Sequence, residues 1–118
     1  MMRDARIGQP FADGEYSFRL GWGEIVELQE KVDCGPFALL DRINSGQWLV
    51  GDLSETIRLG LIGGGLKPTD AKKLVDRYVT DRPPLENLEL ARAILMAGLV
   101  GAPDEAPGEP EAPAAETP

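Results

Sequence analysis

Apolar positions along the chain change period several times, and each change marks an element. In "PFADGEYSFRLGW", Tyr16, Phe18 and Leu20 alternate with polar residues, and Asp13-Gly14 is a favoured tight-turn pair. This predicts a β-hairpin whose apolar face must be covered by helices. Its first strand, about residues 7–12, carries Gly8 and Pro10, and proline marks it as an edge. The period then lengthens. In "GEIVELQEKV", Ile25, Leu28 and Val32 share one helical face, and Asp33 to Gly35 end the segment. Pro36 at a first helical position opens a second helix with Phe37, Leu40 and Ile43 inward, closed by Ser45-Gly46. "QWLV" reads as either a brief strand or an extended link that anchors Trp48 in the core.

Asp52 followed three residues later by Glu55 resembles a capping box, with Leu53, Ile57 and Leu61 at helical spacing behind it, so a third helix is expected over about residues 53–63. Gly60 inside it costs about 1 kcal/mol relative to alanine, which predicts close packing against another element. Gly63, Gly64 and Gly65 supply conformations with φ > 0 that stop it. A fourth helix over about residues 68–79 buries Ala71, Leu74, Val75 and Tyr78 and exposes Lys72, Lys73, Asp76 and Arg77. Residues 81–84 break it. A fifth, over about residues 85–100, carries Leu85, Leu88, Ala91, Ile94, Leu95 and Leu99 and ends at Gly101. The expected class is α+β, with an N-terminal hairpin packed on about five short helices. Residues 1–101 are expected to form a single globular domain.

Beyond Gly101 the composition changes to proline, alanine and acids, which cannot offset the entropy of ordering; residues 102–118 are expected to be a disordered, solubilising tail. That tail holds five acids and no base, so it carries five of the eight net negative charges of the 118-residue chain, whose body is only mildly acidic. With 20 acids against 12 bases and no basic stripe, phosphate neutralisation is missing; neither nucleic acid nor an anionic membrane surface is an expected partner. Histidine is absent, which removes the commonest general base and metal ligand and every Ser-His or Cys-His arrangement. Cys34 stands alone, so it offers neither an intramolecular disulfide nor a cysteine-rich zinc site, and it is expected to serve as a small, partly buried apolar residue. No apolar run reaches the roughly 18 residues of a membrane span and no signal-type segment leads the chain, so a cytoplasmic protein is expected.

The glycine-rich stretch "IRLGLIGGGLKPTDAKKLV" needs a separate test, because phosphate-binding loops look similar. Gly60 and Gly65 have the P-loop separation, but Leu66 follows, Lys67 comes one place late, and Pro68 stands where a hydroxyl would hold Mg²⁺. A dinucleotide Gly-x-Gly-x-x-Gly started at Gly63 reaches Pro68 where it needs glycine. No cofactor and no enzymatic activity are therefore expected.

Taken in order, Asp13-Gly14-Glu15-Tyr16, Gly35-Pro36, Trp48, the run from Glu55 to Gly65, then Pro68 and Leu74-Val75 form a series that resembles the short tail assembly chaperones of phage-like gene transfer agents, over about residues 10–101. The resemblance implies a non-enzymatic adaptor that binds the tape measure protein, keeps it soluble, helps recruit tail tube protein, and is absent from the finished particle. A minor structural tail component is the alternative, and self-association is compatible with both. The apolar residues least needed for a small core, and so the expected partner contacts, are Trp22, Trp48, Leu49, Leu59 and Ile62.

Overall fold

The computed structural model describes residues 5–101; the expected disordered tail at residues 102–118 lies outside them. Two antiparallel strands, β1 (Arg6–Phe11) and β2 (Gly14–Arg19), precede five α-helices among the described residues: α1 (Trp22–Val32), α2 (Pro36–Ser45), α3 (Val50–Gly63), α4 (Pro68–Val75) and α5 (Leu88–Val100). The α+β class and the hairpin-on-helices arrangement are as the sequence indicates.

The hairpin register pairs Phe11 with Gly14, so the two-residue loop is Ala12-Asp13, one place earlier than the Asp13-Gly14 pair suggests. The cost is a left-handed Ala12 (φ 56°). Asp13 is tied down instead by its side chain, which accepts a 2.6 Å hydrogen bond from the Tyr16 hydroxyl. Ile7 and Phe11 from β1 and Phe18 from β2 point into the interior, joined by Leu20 beyond the strand end.

α3 is the central element. Leu53, Ile57 and Leu61 are buried as expected, together with Leu59 and Gly60, and each fully buried aliphatic side chain contributes about 1.5–3 kcal/mol. α1 runs antiparallel to α3: Glu24 approaches Gly63 at one end, Glu27 lies 3.7 Å from Arg58 midway, and Arg42 links the Val32 carbonyl to Asp52 at the other. α5 completes the core through Ala91, Ile94, Leu95 and Ala97.

The glycines at the end of α3 have a packing role. A Cβ on Gly63 would lie 1.9 Å from the Arg19 carbonyl oxygen, and one on Gly64 would lie 2.0 Å from that of Ser17. The helix end therefore sits directly on the β2 backbone, and only glycine permits that distance. Of the three consecutive glycines, Gly65 alone has a positive φ, 114°. Gly60 shows the close approach its helical position implies, since a Cβ there would meet Ile94 at 3.0 Å.

Three local expectations are corrected. Phe37 is exposed; Leu39, Leu40 and Ile43 form the inward stripe of α2. Leu85 is exposed as well, because residues Pro84–Asn87 wind as a 3₁₀ turn before α5 begins at Leu88. Asp52 is the third residue inside α3 instead of its cap: the cap is Leu49, whose N–H donates to the Asp52 carboxylate at 2.8 Å. "QWLV" forms no strand; residues 47–49 are an extended link with Trp48 partly buried against the core, and Val50 already belongs to α3. After α4 the chain continues as a π-helical turn, Asp76–Thr80, which extends the helical path one residue past Val79. There the Thr80 hydroxyl donates to the Asp76 carbonyl (2.9 Å) and the Asn87 amide to the Tyr78 carbonyl (3.0 Å).

Candidate protein-binding surface

The five residues expected to contact a partner do not form one patch. Leu59 is buried in the core and its side chain is not at the surface. Trp22 is 86 % exposed on the first turn of α1, the turn whose Glu24 abuts Gly63. It therefore shares the C-terminal end of α3 with Ile62, which is partly buried. Trp48 and Leu49 occupy the opposite end of that 14-residue helix, about 20 Å away at 1.5 Å per residue. Leu49 is 61 % exposed, whereas Trp48 rests partly on the core.

At the Leu49 end the structure adds residues that the sequence reading missed. Val50 is 66 % and Leu85 69 % exposed. Between α3 and the segment after α4 lies a hollow of about 220 Å³, mostly apolar, with Val50, Leu53, Val79 and Pro84 in its walls and Arg82 as its one charged lining residue. Val50 falls within "QWLV", read as a strand or as a link anchoring Trp48, whereas it is the first residue of α3 and lies on an outer first turn. Leu85 follows Pro83-Pro84, a pair that ends helical phase, so its apparent membership of the α5 stripe was accidental.

A second hollow of about 360 Å³ continues from the first: both are bordered by Ser54 and Thr80. Its lining is charged, with Glu27, Glu55 and Asp76 facing Lys31, Arg58 and Lys72. Arg58 donates to Glu55 at 2.7 Å and lies 3.7 Å from Glu27; the hydrogen bond to Glu55 leads in raising its pKa further above the ordinary arginine value. Lys72 pairs with Asp76 at 2.7 Å.

The end of α3 beside these hollows is fixed by polar contacts. The buried Asp52 carboxylate accepts the Leu49 N–H and, at 3.1 Å, Nη2 of Arg42; the same Nη2 donates to the Val32 carbonyl at 3.0 Å. Arg42 thereby ties the end of α1, the last turn of α2 and the start of α3. The Arg42 Nε is buried without a hydrogen-bond partner among the described residues.

No group of three or more His, Cys, Asp or Glu side chains that could hold a metal ion occurs among the described residues. Cys34 lies partly buried against the core. No helix among the described residues is long and apolar enough to cross a membrane.

No curated protein and no solved structure matches the chain. A family profile does match, over residues 5–101, a span that takes in the hairpin, all five helices and both hollows. By that match the chain belongs to the family described as phage tail tube protein, GTA-gp10.

Proposed function

We propose that this chain acts during tail assembly as a chaperone that binds the tape measure protein before it is enclosed and assists addition of tail tube protein. The observation that carries the reading is the apolar surface at the start of α3. Leu49, Val50 and Leu85 are each more than half exposed beside the apolar hollow, as are Trp22, Phe37 and Val100 elsewhere. Large exposed aliphatic side chains around a hollow are what an apolar helical stripe of a partner would cover. Trp48 and Leu49 belong to this contact. Trp22, at the far end of α3, is assigned to a second one, for the tail tube protein. The reading calls on binding alone and leaves the chain in the cytoplasm while tails are built.

Co-expression with the neighbouring tail proteins followed by affinity capture tests this. The tape measure protein is expected to co-purify, and Leu49→Asp is expected to reduce capture at least tenfold while the variant stays folded by circular dichroism. Undiminished capture removes Leu49 from the contact; failure to capture any tail protein refutes the reading.

The family description itself favours a second reading, a structural part of the tail. Mass spectrometry of purified particles separates the two: stoichiometric incorporation means structure, and absence from particles that need the chain for assembly means chaperoning.

A further inference from the structure

We draw no further inference here: the strongest candidate, the apolar hollow between the start of α3 and the π-helical turn, walled by Val50, Leu53, Val79 and Pro84, belongs to the surface already described, and nothing in the structure shows what covers it.

Discussion

The two ends of α3 are held by different physics. At Gly63 and Gly64 the helix meets the hairpin at distances that leave no room for a methyl group, and at Gly60 it packs tightly on Ile94 of α5. Arg6 reinforces that end by donating to the Gly64 carbonyl at 3.2 Å and the Ser17 hydroxyl at 2.9 Å. At the other end, a Cβ on Gly51 would meet nothing within 4 Å; Leu49 and Val50 face outward, and the buried Asp52 carboxylate organises the turn. One end is defined by shape, the other by a few directed hydrogen bonds beside an uncovered apolar surface. Where shape complementarity is complete, substitution is costly, and the exposed apolar side chain at that end, Trp22, comes from α1 and not from the tight helix itself. Where a polar clasp does the fixing, apolar side chains remain available.

The largest expected effect comes from filling the tight end. Gly63→Ala or Gly64→Ala forces helix and strand backbones apart and is expected to destabilise by about 3 kcal/mol or more in urea unfolding. At the open end the same change has the opposite sign: Gly51→Ala is expected to stabilise by about 0.5–1 kcal/mol, since only helix propensity changes. Equal effects from the two substitutions would erase the distinction between the ends.

Asp52→Ala probes the polar clasp. It removes the acceptor of the Leu49 N–H and strands Arg42, and a loss of about 2–3 kcal/mol is expected, because Arg42 keeps some contact with solvent. In hydrogen exchange the Leu49 amide is expected to lose protection while the Leu61 amide keeps it until global unfolding. Smaller again is the turn: Ala12→Gly relieves a left-handed alanine and is expected to stabilise by about 0.5 kcal/mol, the steric relief being partly offset by greater freedom of the unfolded chain.

The smallest effect is electrostatic. Arg92, which also donates to Asn44 of α2 at 2.9 Å, donates to Glu89, and that hydrogen bond holds the Glu89 carboxyl below its ordinary value of 4.5. A lowered folded pKa contributes stability above the unfolded value that disappears as pH falls through the folded one. Carboxyl titration by NMR is therefore expected to show a Glu89 midpoint below 4.5 that rises in Arg92→Ala.

Much of the fold was legible because period, caps and breakers agreed. The alternation at Tyr16, Phe18 and Leu20 and the helical spacing at Leu53, Ile57 and Leu61 each had one solution. Phe37 was misplaced because stripes through Phe37, Leu40 and Ile43 and through Leu39, Leu40 and Ile43 differ by a modest rotation, and tertiary packing chose between them. The π-helical turn had no sequence signal beyond Thr80, whose hydroxyl competes for a helical carbonyl. The candidate surface was half legible. Leu49 and Trp22 are exposed, but hydrophobicity alone could not tell Leu59 from Val50, since the core rejects one and takes the other by direction on the same helix.

The seat of β2 on the end of α3 also sets the order of events during synthesis. Phe18 and Leu20, made early, are covered by residues around Gly60 and by Ile94 and Gly98, made last. A growing polypeptide that stops short of α5 holds its first hairpin with no lid. Closure of the interior must therefore wait until α5 has been made.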